Sequence, residues 1–198
     1  MESPVGSRDL RHNIATPVRK ELDEYALRVA ATLQDLAIPT ALISQRALEI
    51  CCEPQELVIA ETGADGREHL LIPAAERAWR HLSSAAKADG VSLRIASAFR
   101  NLERQTEIVR RKLELGLSLE QVLSVSAPPG YSEHHSGRAV DVAVEGCPPL
   151  EAEFENTEAF RWLSAHAGRF GFALSFPRGN RYGYAYEPWH WYFQGTEV

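Results

Sequence analysis

The stretch Ser132–Asp141, SEHHSGRAVD, and the piece that answers it near the C-terminus, Glu187–His190, EPWH, decide how this chain is read. Between them they offer His134, Asp141, Glu187 and His190, two imidazoles and two carboxylates from distant segments. Three N/O donors around a divalent ion leave one tetrahedral position for water, and a carboxylate outside the donor set can take the proton from that water. This is the residue set of a catalytic metal site.

The local pattern carries the reading beyond residue type. From Arg138 to Glu145 the chain alternates, with Val140, Val142 and Val144 on one face and Ala139, Asp141 and Ala143 on the other, the pattern of a half-buried strand. The valines go to the core and Asp141 looks out of the opposite face. In the second piece Trp189, Trp191 and Phe193 share one parity, so a strand starting at Trp189 presents His190 on the other face. Glu187 has the wrong parity to join His190. Pro188 removes a backbone donor and restricts the residue before it, and a bend there is expected to turn Glu187 back toward the metal side.

The pattern S-x-H-x-x-G-x-A-x-D followed by E-P-W-H resembles the VanY-like D-alanyl-D-alanine carboxypeptidases, zinc D,D- and L,D-peptidases of the bacterial cell wall that share the hedgehog/DD-peptidase fold. The resemblance covers roughly Leu70 to the C-terminus. It rests on SAFRNLERQ at Ser97–Gln105, PGYSEHHSGRAVDV at Pro129–Val142 and GYAYEPWHW at Gly183–Trp191. It implies that His134, Asp141 and His190 bind one zinc ion and that Glu187 is the general base. Arg100 is similar to the family's arginine that steadies the substrate carbonyl oxygen, and Gln105 and Ser132 to its substrate contacts. The family often has S-G-Y-R-S where this chain has Ala98, Phe99 and Asn101, and often an arginine where this chain has Tyr192; neither departure removes a proposed ligand. From the residues alone the donor set would suit other divalent ions too, so zinc is what the resemblance implies.

The implied activity is a zinc metallo-carboxypeptidase acting on the terminal bond of peptidoglycan stem peptides of the D-Ala-D-Ala type. An L,D-carboxypeptidase or a peptidoglycan endopeptidase of the same fold is the alternative within the class. From another class comes a binding module that holds zinc and recognises a partner without hydrolysis; the presence of both Arg100 and Glu187 weighs against it.

Composition bounds what surrounds the site. At 198 residues with 44% hydrophobic content, the chain can bury a full core without a metal to fold it. A formal net charge of -6 and no basic stripe argue against nucleic acid or an anionic membrane as the main partner. The three cysteines make no disulfide framework and no C-x-x-C metal spacing, and are expected to be buried small apolar residues. No stretch approaches signal-peptide or membrane-span character, so the chain as written is expected in the cytoplasm, or in the periplasm or cell envelope if it is a processed form.

In chain order, Thr16 and Pro17 signal a helix start, with Leu22, Ala26, Val29, Leu33 and Leu36 at helical spacing. Residues 1–40 are thus expected as an N-terminal helical extension, its apolar stripe lying on its own domain, and 41–198 as the zinc peptidase domain. A short helix is expected near Ser44–Cys51, and a hairpin around the turn GADG at 63–66. A helix opens at Pro73 and closes near Gly90, with Ala74, Ala78, Leu82 and Ala85 on one face. A strand over Val91–Ala98 delivers Arg100, and Asn101 caps a helix ending before Gly116, which puts Gln105 one turn in and near Arg100. Ser118 with Gln121 is a capping box. A helix over Asn156–Arg169 and a strand over Phe170–Phe176 complete an α+β chain, a small antiparallel sheet carrying the metal site with helices packed on its opposite face.

An isolated histidine is by default structural or at the surface, and His12, His69, His81 and His166 are read so. His135 is the rival of His134: in an extended segment only one of the two can face the metal, and the family register selects His134. His135 is then left behind the ligands or in solvent. Trp79, Trp162, Trp189 and Trp191 are read as core aromatics, with Trp189 also a wall of the site.

Overall fold

A computed structural model describes residues 15–195, with side chains from Lys20 onward. The elements are α1 (Ala15–Asp35), α2 (Thr40–Gln45), β1 (Val58–Thr62), β2 (Glu68–Leu71), α3 (Pro73–Ala88), β3 (Arg94–Ser97), α4 (Leu102–Glu114), α5 (Leu119–Val125), β4 (Ala139–Ala143), α6 (Glu158–His166), β5 (Phe172–Leu174) and β6 (His190–Phe193). Strands β3, β4, β6 and β5 lie in that order in one antiparallel sheet; β1 and β2 form a separate hairpin.

The register of the sheet explains the site. Val140 pairs with Trp191, and one step along, Asp141 pairs with His190, while Ser97 of β3 pairs with Asp141 from the other side. Because side chains alternate across a strand, Val140, Val142, Trp191 and Phe193 go to one face and Asp141 and His190 to the other. The apolar face is closed by α3 and α6. Trp79 of α3 meets Phe172 of β5 edge-on at 6.3 Å, and Phe160 of α6 meets Trp191 at 6.4 Å. Trp79, Trp162 and Trp191 are buried, and fully burying a large apolar side chain contributes about 1.5–3 kcal/mol. The indole N–H of Trp162 donates to Asp89, and that of Trp191 to the carbonyl of Pro188.

The second apolar cluster lies among α1, α4 and α5. Tyr25, Val29 and Leu33 of the first helix, with Leu36 just past its end, pack with Leu102, Val109, Val122 and Leu123. The expected stripe holds at Val29, Leu33 and Leu36 and differs at its start: Tyr25 is inside, whereas Leu22 is 47% exposed and Ala26 is exposed. Thr16 lies within α1, one residue past its first described residue, and His12 lies outside the described residues. Gly130 seals this contact; it has φ +89, and a Cβ there would stand 2.5 Å from Val29 Cγ1.

Other boundaries moved by a few residues. The short helix falls at Thr40–Gln45, directly after Pro39 and ahead of the expected span. On α3 the buried face is Ala75, Trp79, Leu82 and Ala86 together with Ala74, because the large indole and not the flanking alanines sets which side turns inward. The helix expected over Asn156–Arg169 is α6 between two 3-10 segments, and its cap is Thr157, whose hydroxyl accepts from Phe160 N–H at 3.1 Å. The Asn101 cap and the Ser118/Gln121 capping box are both formed. Cys51, Cys52 and Cys147 are free, but half-buried instead of buried. Among the described residues no helix is long and apolar enough to cross a membrane.

Candidate metal centre

Three segments meet above the polar face of the sheet. Asp141 rises from β4 and His190 from the first position of β6. His134 comes from a one-turn 3-10 helix, Glu133–Ser136, ended by Gly137 at φ +65. A Cβ on Gly137 would also meet Leu57 Cδ2 at 2.9 Å and Ile72 Cγ2 at 3.1 Å, so both conformation and space demand glycine there. That turn separates the two adjacent histidines, and only His134 of the pair faces the metal position.

His134 faces Asp141, with Nε2 3.1 Å from Oδ2, and its Nδ1–H donates to the carbonyl of Ala98 at 2.7 Å. His190 places Nδ1 2.9 Å from Asp141 Oδ1, and its Nε2–H donates to Glu133 Oε2 at 2.9 Å. Each imidazole is thus held by a partner on its far side, which leaves the near nitrogen as a donor atom. Phe176 stacks on His190 at 4.7 Å and fixes the plane of that ring. His134, Asp141 and His190 each offer one ligand atom, all within 4.8 Å of one another, and all three residues are buried. Donors about 2.0–2.2 Å from one ion must lie roughly 3–4 Å apart, so the set fits a single divalent cation.

The electrostatics point the same way. Burial by itself would raise the Asp141 pKa, yet the two histidines hold it far below the usual carboxylate range. Burial opposes charge on His190, but hydrogen bonds to Asp141 and Glu133 prevail and lift its pKa to about 10. Burial keeps His134 below its ordinary value despite the pull of Asp141. A pair of imidazole nitrogens converging on one buried carboxylate calls for positive charge at their centre, from a proton or from a metal.

Glu187 sits just before the turn at Pro188 and Trp189. Its backbone N–H donates to Phe176 at 3.1 Å, its carbonyl accepts from His190 N–H at 3.1 Å, and its carboxylate lies 3.9 Å from His190 Nδ1. The expected bend is present, and Glu187 faces the metal donors. Burial raises its carboxyl to about 7, against the opposing influence of His190.

Arg100 follows β3 and is fastened along its whole length. Its backbone N–H donates to the carbonyl of His134 at 3.2 Å, and its carbonyl accepts from His135 Nδ1 at 2.5 Å. The guanidinium donates to Gln105 Oε1 at 2.7 Å and Ser97 Oγ at 3.3 Å and stands 4.0 Å from Asp141. Gln105 has no exposed surface, and its amide also donates to the carbonyl of Ala127 at 2.6 Å. In this structure it lies behind Arg100 and holds it, and it does not line the cleft. Ser132 does line it. His135 is fully buried and not in solvent; its Nε2 accepts from Gly130 N–H at 3.0 Å, so both ring nitrogens are used away from the metal position.

Arg100, Ser132, His134, Asp141, Glu187 and His190 open onto one cleft of about 560 Å³, with Trp189 in its wall. Three charged residues that the sequence reading did not single out belong to it, Glu133, Lys112 and Glu151. Adjacency of Glu133 to His134 was the available signal for the first. The second sits far along α4 with no local signal.

A buried three-donor metal centre with a carboxylate and a guanidinium beside it, on a four-stranded antiparallel sheet backed by helices, defines an α+β protein of the metal-site class. The family profile described as VanY, D-alanyl-D-alanine carboxypeptidase, matches residues 68–196, and the chain belongs to that family. A D-alanyl-D-alanine carboxypeptidase of Enterococcus faecalis is 35% identical over 127 residues, 59% of this chain and 46% of that protein. The chain therefore spans about half the length of that curated relative. Among solved structures, the LD-carboxypeptidase LdcB superposes with a TM-score of 0.65 at 29% identity, over 72% of this chain and 70% of that one. A mutant of the vancomycin-resistance D,D-pentapeptidase VanY in complex with Zn(II) gives 0.54 at 29%, over 74% and 87%.

Proposed function

We propose that this chain is a zinc-dependent carboxypeptidase that removes the terminal residue of peptidoglycan stem peptides ending in D-Ala-D-Ala. The observation that carries the reading is the convergence of the His134, Asp141 and His190 donors with Glu187 and Arg100 on one cleft. Its relatives supply the metal and the substrate class: one is a D-alanyl-D-alanine carboxypeptidase, another a VanY solved with Zn(II).

His134 Nε2, an oxygen of Asp141 and His190 Nδ1 would hold the ion. When bound, it supplies Lewis acidity toward a peptide carbonyl and lowers the proton affinity of water. Glu187 accepts a proton from the attacking water and delivers it to the leaving amine as the C–N bond breaks. A carboxyl raised toward neutrality by burial suits both halves of that transfer. Arg100, preset by Gln105 and Ser97, offers a fixed cation to the developing oxyanion and, with Ser132, to the terminal carboxylate of the substrate.

The deciding assay compares a stem peptide ending in D-Ala-D-Ala with its C-terminal amide, using zinc-loaded protein with and without chelator. The free acid is expected to lose one D-Ala and the amide to react far more slowly. Equal rates, or internal fragments, would replace the carboxypeptidase by an endopeptidase. A tetrapeptide stem with an L-D terminal bond serves as the second substrate, because LdcB is an LD-carboxypeptidase.

A further inference from the structure

Lys112 is a charge in the cleft for which the mechanism has no use. Its Nζ donates to Ser126 Oγ at 2.7 Å, and Ser126 is itself buried and lines the same cleft. Lys112 is half-buried and has no ion pair among the described residues. Burial depresses its proton affinity, and Glu187 acts on it from across the cleft without reaching contact. A partly desolvated ammonium whose contact is a neutral hydroxyl is costly to keep unless something anionic visits it. Of the other charged groups of the centre, Asp141 and Glu133 are partnered by the histidines and Arg100 by Gln105, Ser97 and Asp141, while the Glu187 carboxylate stands 3.9 Å from His190 Nδ1.

We propose that Lys112, steered by Ser126, binds a second carboxylate of the substrate, one carried by a residue upstream of the scissile bond. This rests on the carboxypeptidase reading. If the terminal carboxylate lies at Arg100 and Ser132, nothing follows it, and every further substrate residue extends on the acyl side. The spacing agrees. Lys112 is seven positions after Gln105, which touches Arg100, so its Cα is about 10 Å further along α4 at a rise of about 1.5 Å per residue. An extended peptide advances about 3.3–3.6 Å per residue, so with the reach of both side chains the second carboxylate falls roughly two to three residues before the cleaved bond. The substrate class narrows to peptides with two free carboxylates, one terminal and one internal.

The test is calorimetric binding of peptides to zinc-loaded Glu187→Gln protein, so that affinity is read without turnover. The peptides share a D-Ala-D-Ala end and differ in one residue, glutamate or glutamine, placed two or three residues before the cleaved bond. At one register the glutamate peptide is expected to bind about tenfold more tightly or better, the scale of one charge-assisted hydrogen bond. That ratio should fall toward one in Lys112→Met and recover in Lys112→Arg. Lys112→Gln with a thermal melt separates loss of the charge from loss of the fold. A ratio unchanged by Lys112→Met, or no preference for glutamate at any register, overturns the proposal. A uniform loss of affinity for both peptides also overturns it, since Lys112 would then act on the field around Glu187. Turnover by the wild-type protein is scored separately: if it cleaves neither peptide while the Lys112-dependent preference holds, the second-carboxylate site stands and the hydrolase reading falls.

Discussion

The two walls of the cleft are built on different terms. On the sheet wall, His134, Asp141 and His190 are almost wholly buried and Glu133 is half-buried, and their ring nitrogens and carboxylate oxygens meet one another or the carbonyl of Ala98. On the helical wall, Arg100 and Lys112 present cations supported mainly by neutral groups, Gln105, Ser97 and Ser126. The first wall is organised around a fixed positive centre of its own. The second keeps charge available for a visitor. Changes on the sheet wall should therefore act on the metal, and changes on the helical wall on the substrate.

The hardest test of that division is to remove a donor. His134→Ala or His190→Ala is expected to abolish stoichiometric zinc binding, because two donors remain and the group left behind, Asp141, is a buried carboxylate without its partner. Elemental analysis after dialysis reads this directly. Full zinc in both variants would show that the donors lie elsewhere. Glu187 is placed by the same wall but is not part of the donor set, so Glu187→Gln is expected to keep its zinc and lose about 10²–10⁴ in kcat. A variant that loses zinc in proportion to activity would move Glu187 into the donor set.

Glu133 sharpens the comparison further, since it touches the centre only through His190 Nε2. Glu133→Gln is expected to lower zinc affinity about 10–100-fold with little change in the KM of the zinc-saturated enzyme, the pattern of a group that orients a ligand. Competition against a chromophoric chelator gives the affinity. A change confined to KM would assign Glu133 to the substrate.

Most of the sheet wall was legible in the sequence, Glu133 excepted, and of the helical wall only Arg100 was, for a physical reason. Strand alternation puts Asp141 and His190 on one face whatever surrounds them, and Pro188 with Glu187 is a local signal of a local bend. Arg100 could be placed because Asn101 caps the helix behind it. Lys112 reaches the cleft only because α5 packs so that Ser126 stands beside α4, a tertiary event without a local pattern. The inward turn of Tyr25 at the start of the α1 stripe escaped for a related reason, since its hydroxyl donates to the carbonyl of Cys51 at 3.0 Å.

His135 is where the division between the walls is tied together, and it gives the smallest expected effect. Its neighbour faces the metal position, yet its own imidazole points the other way, donating from Nδ1 to Arg100 and accepting at Nε2 from Gly130. Such a ring must be neutral, with the proton on Nδ1, and burial accordingly pushes its pKa down to about 4. His135→Ala leaves the three donors in place, so zinc content is expected to stay at one per chain. What it removes is the strap between the His134 turn, the Arg100 carbonyl and the Gly130 loop that packs on Val29. Leaving a buried N–H and a buried carbonyl without partners costs about 1–3 kcal/mol, measured by denaturant unfolding of the metal-free protein. His135→Gln, which carries both a donor and an acceptor, should recover part of that loss. If His135→Ala instead released the metal and left stability unchanged, the two adjacent histidines would have exchanged roles, and the separation of the walls drawn from their opposite orientations would fail.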